Sequence, residues 1–425
     1  MRSDQVLNNY QEGFSRIFAQ PVNSELDRVK FLRGYLCLLN EFLYERRAVG
    51  EIDQLNEPSE THPEWKRITP FLAIWDDYVE KVVGFTFDAD QINRLAKVFV
   101  DIFQGSPQFR QSPIALPADK PSPKLGGLTP RQFCLIRVMH ALQDFSELPL
   151  PINEDLVGKL RRAFANSVPD ESVLAEEESA RKLMAVLGGA DRNVDERIRY
   201  IFSAARIIKG TWGTPAYGIA AQCEADAKRI YSKLVELPGL KGKKANMLLR
   251  DFYQLGIWSY GSNLSAIDII PDNRVMRIAL RTAILRPALG KLLNSLLDEF
   301  DFQYGLTATA TQEAFRRVWE RTKIHNGGTH VVPYPAGLDE FVFRLGDGRG
   351  GCCKPNTPSC RTNKRPPKLA KWMEDTFSYE FAGGCPFAGV CPEDTKDMQA
   401  PFAIQNMTWM GIFTGRGGGG GLRGV

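Results

Sequence analysis

The stretch that decides the fold reads LPGLKGKKANMLL at residues 237–249 and AIDIIPDNRVM at residues 266–276. Its Pro238-Gly239 pair is a turn signal between two runs of apolar residues at helical spacing. The sequence therefore predicts a helix, a tight hairpin and a second helix that begins within residues 242–244. The apolar positions are Ala227, Ile230, Leu234 and Val235 before the turn, and Ala245, Leu248, Leu249 and Phe252 after it.

The beginning of the second helix is a candidate site for an anion. The first N–H groups of a helix have no intrahelical partner and carry partial positive charge. Lys241, Lys243 and Lys244 surround Gly242 with full positive charges. The sequence therefore predicts that this hairpin holds one phosphate group.

A second candidate position is Asp272, which follows Pro271 at the entrance of another predicted helix. That helix presents Val275, Ile278, Ala279 and Thr282 on one face. An aspartate at this place caps the helix through its backbone N–H groups. It is also a carboxylate in a fixed position, and such a group can stabilise positive charge that develops in a transition state.

Five of the eight cysteines lie in one region, which contains Cys352, Cys353, Cys360, Cys385 and Cys391. Four thiolates close in sequence suit an iron–sulfur cluster or zinc. The close C-x2-C to C-x4-C pairs of zinc sites are absent from the sequence, which favours iron and sulfide over zinc or unpaired thiols.

Composition sets the remaining limits. The 425 residues are 43% hydrophobic and 24% charged, which is typical of a soluble protein of two or three domains. The net charge of +4 permits a local basic patch without arguing for one. The polar N-terminal residues and the lack of a long apolar run predict an intracellular protein with reduced thiols.

Helical patterns dominate the chain, so we expect an all-α architecture. A short alternating run at Thr329–Tyr334 is the exception. The predicted regions are an N-terminal helical region (1–110), a proline-rich linker (111–127), a helical core (128–345), a cysteine region with a basic insertion (346–395) and a C-terminal segment with a disordered glycine-rich tail (396–425).

The hairpin and Asp272 resemble motifs of the helix-hairpin-helix DNA glycosylase superfamily, in the branch of endonuclease III and MutY. That family carries a hairpin of the type LPGVGxKTA and an aspartate before a later helix, often in a VD or PD context. Here LPGL at residues 237–240 matches the start of the hairpin, and Lys241 replaces the second glycine. The connection from Lys243 to Asp272 is longer than in the family.

The cysteines extend the resemblance. The family binds a 4Fe–4S cluster through C-x6-C-x2-C-x5-C directly after the catalytic domain. This chain keeps the first and last spacings, and residues 361–384 replace the middle gap. The resemblance implies a 4Fe–4S cluster on Cys353, Cys360, Cys385 and Cys391. Cys352 is a spare neighbour of Cys353, and the x6 spacing favours Cys353.

The resemblance also implies an activity. Asp272 would stabilise positive charge on the sugar while a flipped base leaves, and Lys243 would be the amine that attacks the sugar and adds lyase activity. The DNA-binding residues would be Gly239, Lys241, Gly242 and Lys244. The expected partner is double-stranded DNA with a damaged or modified base, bound by a monomer with no membrane association.

This expectation corresponds to base excision repair, in the nucleoid-containing cytoplasm of a prokaryote or in a eukaryotic nucleus. Two other functions fit parts of the sequence. One is a non-catalytic nucleic-acid-binding iron–sulfur protein that has kept the hairpin. The other is a hydrolase of modified nucleosides or RNA. The PD sequence at Asp272 together with Lys243 favours the glycosylase.

Overall fold

The computed structural model describes residues 12–21, 23–24, 27, 30, 34, 85–105, 115–143, 152–188, 194–287, 304–346, 351–353 and 385–392. These parts of the chain are mostly helical, which confirms the predicted all-α class. Cys360, the whole basic insertion (residues 361–384) and the C-terminal segment (396–425) lie outside them.

Twelve helices are named here in chain order. They are α1 (Ala89–Gln104), α2 (Pro130–Gln143), α3 (Glu154–Ala163), α4 (Glu171–Leu174), α5 (Glu177–Leu187), α6 (Val194–Arg206), α7 (Ile219–Gln222), α8 (Ala227–Val235), α9 (Gly242–Gln254), α10 (Asn273–Arg281), α11 (Tyr304–His325) and α12 (Asp339–Leu345). Residues 12–18 are also helical. A π-helical segment, Ile207–Trp212, continues α6. Four 3-10 turns lie at Pro123–Leu125, Ala216–Gly218, Leu264–Ala266 and Pro335–Leu338.

The described strands form one small antiparallel sheet, in which β1 (Phe85–Phe87) pairs with β2 (Leu285–Pro287). The run Thr329–Tyr334, which alternates like a strand, forms bends instead. The Asn326 side-chain amide donates to the carbonyl oxygens of Thr329 (3.2 Å) and His330 (3.3 Å). These local hydrogen bonds offer the backbone an alternative to a strand ladder, which explains the difference.

The chain divides into two compact units. The first comprises Met1–Val98, Pro271–Arg321 and Phe341–Val425, and the second comprises Phe99–Ile270 and Thr322–Glu340. The hairpin belongs to the second unit, whereas Asp272 and the cysteine region belong to the first. The predicted domain boundaries stay a prediction.

The core of the second unit is built from amphipathic helices. Helix α2 begins with a reciprocal cap, because Thr129 N donates to Gln132 Oε1 (3.1 Å) and Gln132 N donates to Thr129 Oγ1 (3.2 Å). The hairpin helices pack their apolar faces into this core, with Ala227, Ile230, Leu234, Ala245, Leu248, Leu249 and Phe252 all fully buried. Each fully buried leucine contributes about 1.5–3 kcal/mol relative to an exposed one.

Part of the proline-rich segment 111–127 packs against the same unit. Leu116 N donates to Gly256 O at 2.7 Å, and its carbonyl accepts the hydroxyl of Tyr217 at 2.8 Å. Leu125 is fully buried. Leu116 is therefore attached beyond the C-terminal end of α9, at the opposite end from the hairpin.

In the first unit, aromatic side chains support the cysteine region and the small sheet. The rings of Phe341 and Phe387 meet edge to face at 5.9 Å between centroids. The Arg317 guanidinium lies 4.0 Å from the centre of the Phe87 ring on β1. No helix among the described residues is both long and apolar enough to cross a membrane.

Candidate functional site

The predicted hairpin is present in the structure. Helix α8 ends at Val235 and α9 begins at Gly242, within the predicted range. Leu240 N donates to Leu237 O at 3.1 Å and closes the turn. Gly239 has φ +73°, a left-handed conformation that glycine adopts without steric cost. The LPG sequence therefore turns the chain in the way its residue types predict.

A second constraint also requires glycine at position 239, and it comes from a residue distant in the sequence. A Cβ at this position would meet Cδ2 of Tyr200 at 2.7 Å and Cε2 at 2.8 Å. The Tyr200 ring belongs to α6, and its hydroxyl donates to Glu196 Oε1 at 2.6 Å, which fixes the ring. Only glycine fits between the turn and this ring without a shift.

Lys241 and Gly242 form the entrance of α9. Lys241 has φ −116° and ψ 175°, an extended backbone that any residue adopts, so the replacement of a glycine by lysine carries no strain here. At Gly242 a Cβ would lie 2.9 Å from the Tyr231 hydroxyl. Burial, followed by the charge of Asp268, raises the pKa of that phenol. Gly242 therefore lets the phenol pack against the helix start.

The three hairpin lysines are not equivalent. Lys244 is half-buried, and its Nζ donates to Gly239 O at 3.3 Å, so it supports the turn. Lys241 and Lys243 are exposed, and neither side chain has a hydrogen bond or ion pair within the described residues. The first intrahelical bond runs from Ala245 N to Lys241 O, 2.9 Å. The N–H groups of Gly242 and Lys243 therefore precede the helical ladder, and two exposed ammonium groups stand beside them.

Asn246 was not identified from the sequence. It is 2% exposed on α9, and its Oδ1 accepts a hydrogen bond from Asp268 N at 3.1 Å. The chain after α9 is also held by Asp339, whose Oδ1 accepts from Ile270 N at 3.2 Å while Oδ2 pairs with Arg250. The signal for Asn246 in the sequence was a side-chain amide next to the apolar positions of an amphipathic helix. Its hydrogen-bond partner, Asp268, could not be identified from the sequence.

Asp251, next to Arg250, completes a partly buried ionic network. Its Oδ2 accepts from Arg137 Nη2 at 2.9 Å, and its Oδ1 accepts from Arg250 Nη2 at 2.8 Å. Burial alone would raise the pKa of this carboxyl, but the charges of Arg250 and Arg137 outweigh burial and lower it. The network joins α2 to the helix that carries Lys243.

Asp272 is the N-cap of α10. Its Oδ1 accepts from Arg274 N (2.9 Å) and Val275 N (3.0 Å), and its Oδ2 lies 3.4 Å from Arg274 Nη1. The side chain is 19% exposed. The cap fixes the orientation of the carboxylate through one oxygen. The second oxygen has one long contact to a guanidinium among the described residues.

Helix α10 also contacts the cysteine region. Arg281 Nη1 donates to Cys353 Sγ at 3.3 Å. Arg277 donates to the carbonyl oxygens of Cys353 (3.0 Å) and Gly346 (2.6 Å). Burial raises the pKa of the Cys353 thiol, and the neighbouring Arg281 and Arg277 partly oppose that rise. The same helix therefore begins at Asp272 and ends against Cys353.

The other described cysteines of the region lie close to these elements. Cys391 Sγ is 3.4 Å from Arg281 O, and Cys385 interacts electrostatically with Cys353. The side chain of Gln91, on α1, donates to Val390 O next to Cys391. Cys360, the fourth predicted ligand, lies outside the described residues. Within the ranges that the structure describes, no three His, Cys, Asp or Glu side chains are grouped to hold a metal ion.

The surroundings of Cys353 fit a thiolate that binds metal. Arg277 and Arg281 are 4% and 5% exposed, and buried cations are stabilised by nearby negative charge. Burial lowers the pKa of Arg277, whereas the charge of Cys353 opposes that change. A cluster with anionic sulfur ligands would supply such charge, and N–H groups directed at ligand sulfur are the environment that tunes it.

Three features of the described residues are candidates for a functional role, the hairpin in the second unit and the other two in the first. The hairpin presents exposed cations at a helix start, α10 presents an oriented carboxylate, and the cysteine region contacts the far end of α10. No protein-family model and no curated protein matches this chain. The resemblance to a family therefore rests on the motifs in the sequence.

Proposed function

We propose that this protein is a DNA glycosylase that flips a damaged or modified base out of duplex DNA and cleaves its N-glycosidic bond. The observation that carries the proposal is the hairpin: the left-handed Gly239, the helix start at Gly242, and the exposed Lys241 and Lys243, which have no partner among the residues that the structure describes. This combination suits one DNA phosphate. A firm hold on the backbone helps to offset the few kcal/mol that base flipping costs.

Asp272 is the proposed catalytic carboxylate. As the base departs, positive charge develops on the sugar, and a preorganised carboxylate stabilises that charge. The contacts of Oδ1 with two backbone N–H groups support this role, because they orient the carboxylate before any substrate binds. Its Oδ2 is the oxygen with capacity left for the sugar or for an attacking water.

Lys243 is the proposed nucleophile for an additional lyase step. A neutral amine attacks the sugar carbon, the base leaves and a Schiff base forms between Nζ and the opened sugar. Exposure of Lys243 at the helix start supports access to the DNA backbone. If Lys243 serves only as a phosphate contact, water attacks and the enzyme is monofunctional.

Four cysteine thiolates, those of Cys353, Cys360, Cys385 and Cys391, are proposed to hold a 4Fe–4S cluster. When bound, the cluster would cross-link distant parts of the chain. Arg281 and Arg277 would neutralise its ligands and tie them to α10. The residues themselves therefore connect the cysteine region to the helix that carries Asp272.

The second candidate function is a non-catalytic helix-hairpin-helix protein that binds nucleic acid. The observation in its favour is that Asp272 has a sufficient structural role as the N-cap of α10. Under this alternative the hairpin binds the backbone, and no base is released.

The deciding experiment is base release from a panel of duplexes with damaged and modified bases. Asp272→Asn keeps the acceptor oxygen of the cap and removes the charge, so it should abolish release while DNA binding and folding persist. The matched control is Asp170→Asn, because Asp170 caps α4 through the same pair of N–H contacts, at 2.9 and 3.0 Å. Duplex binding without release from any substrate would favour the non-catalytic alternative. Equal release by wild type and Asp272→Asn would exclude Asp272 as the catalytic group.

A further inference from the structure

The π-helical segment Ile207–Trp212 is the candidate for a second contact with the partner. A six-residue π-helix is rare, and such departures from α-helical geometry are frequent at functional sites. The sequence IIKGTW does not indicate it, since glycine and β-branched residues favour no regular helix. The segment therefore calls for a physical explanation beyond helix propensity.

Contacts on both sides place this segment beside the hairpin. Before it, the Tyr200 ring of α6 packs against Gly239 of the turn. At its end, Trp212 Nε1 donates to Glu236 Oε2 at 3.3 Å, one residue beyond the end of α8. The residues between these two contacts therefore run alongside the hairpin turn.

The middle of the segment faces solvent. Lys209, Gly210 and Thr211 are exposed, whereas Trp212 is 3% exposed and anchors the segment. A Cβ at Gly210 would meet nothing within 4 Å. Within the described residues Lys209 has no hydrogen bond or ion pair, so its ammonium group is available to an anion.

The carboxylate next to the segment is neutralised and therefore does not repel an anion. Among the described residues, Glu236 is the carboxylate that accepts a hydrogen bond from the segment, and it is paired with Lys233 Nζ at 2.9 and 3.2 Å. The exposed lysines beside the turn include Lys209 on the π-helical segment and Lys241 and Lys243 at the start of α9. A row of such charges fits the repeated phosphates of a nucleic-acid backbone.

We infer that Ile207–Trp212 forms a second backbone-contact surface for duplex DNA, in which Lys209 neutralises a phosphate next to the one held by the hairpin. This inference deepens the proposed function and rests on it. The hairpin and the segment would together fix the register of the enzyme on the duplex, because two neighbouring phosphate contacts define a direction, whereas one does not.

The test is the salt dependence of binding to a fluorescein-labelled duplex without a damaged base. Each phosphate contact contributes about 0.9 to the slope of log affinity against log salt. Lys209→Gln should therefore lower the slope by about 0.9, and Lys241→Gln should lower it similarly. Lys209→Arg should keep the wild-type slope.

The matched control is Lys120→Gln, which removes an equally exposed charge from the same unit. Lys120 follows Leu116, which is attached beyond the C-terminal end of α9, about 20 Å along that helix from the hairpin. Its slope should equal that of wild type. A wild-type slope for Lys209→Gln, with a reduced slope for Lys241→Gln, would overturn this inference and leave the proposed function intact. Failure of the wild-type protein to bind any duplex would overturn both.

Discussion

Replacement of Gly239 by alanine tests the geometry on which the hairpin depends. Alanine must adopt the left-handed φ of +73°, which costs about 1–2 kcal/mol. Its Cβ must also displace the Tyr200 ring from 2.7 Å, and overpacking of this kind costs about 1–3 kcal/mol. The ring has little freedom to move, since its hydroxyl donates a hydrogen bond to Glu196 Oε1 at 2.6 Å. We therefore expect Gly239→Ala to lower the free energy of unfolding by about 2–5 kcal/mol.

Gly327→Ala is the matched control. Gly327 has φ +62°, and a Cβ there meets nothing within 4 Å, so this variant should cost only the left-handed penalty of about 1–2 kcal/mol. Urea-induced unfolding of both variants isolates the ring contact as their difference. In a Tyr200→Ala background, Gly239→Ala should cost no more than Gly327→Ala does. Duplex affinity should fall for Gly239→Ala alone.

A Gly239→Ala variant as stable as Gly327→Ala would refute this reasoning, because it would mean that the Tyr200 ring moves away without cost. Equal losses in the presence and absence of the ring would refute it as well. In either case the requirement for glycine at the turn would come from backbone conformation alone.

Three further predictions concern the chemistry and the core. Protein purified anaerobically under iron-replete conditions should contain about four iron and four sulfide per chain. Cys353→Ala and Cys360→Ala should lose this iron and sulfide, and Cys352→Ala should keep both. Zinc bound in place of iron would contradict the cluster. Borohydride should trap both the wild-type protein and Lys241→Gln covalently on cognate DNA, but it should not trap Lys243→Gln. If Lys243→Gln were trapped as well as wild type, Lys243 would be excluded as the nucleophile. The pKa of Asp251 is lowered from its usual 3.8, so its carboxylate stabilises the fold above that pH, and this stabilisation is lost as the pH falls below about 4. Asp251→Asn should lower the free energy of unfolding at pH 7 by about 1.5–3 kcal/mol and flatten its acid dependence, and an unchanged acid dependence in urea titrations would contradict this.

The hairpin could be predicted from the sequence because each of its parts is local. A proline and a glycine set the turn, and apolar residues three and four apart set the helices on either side. The same holds for the helix start at Thr129 and for the helix that Asp272 caps. The run Thr329–Tyr334 alternates like a strand but does not form one, because side-chain hydrogen bonds from Asn326 compete with strand formation there, and alternation of residue types does not reveal them.

The sequence by itself determined the all-helical class, the hairpin, the cap at Asp272 and the burial of the apolar faces, because these depend on residues within one or two helical turns. Only the tertiary structure decided that Tyr200 lies against Gly239, that Asn246 holds Asp268 and that Arg281 reaches Cys353, 72 residues away. Such contacts depend on the path of the chain between distant residues, and no local spacing encodes that path. The same is true of the π-helical segment, whose position beside the turn comes from Trp212 and Glu236.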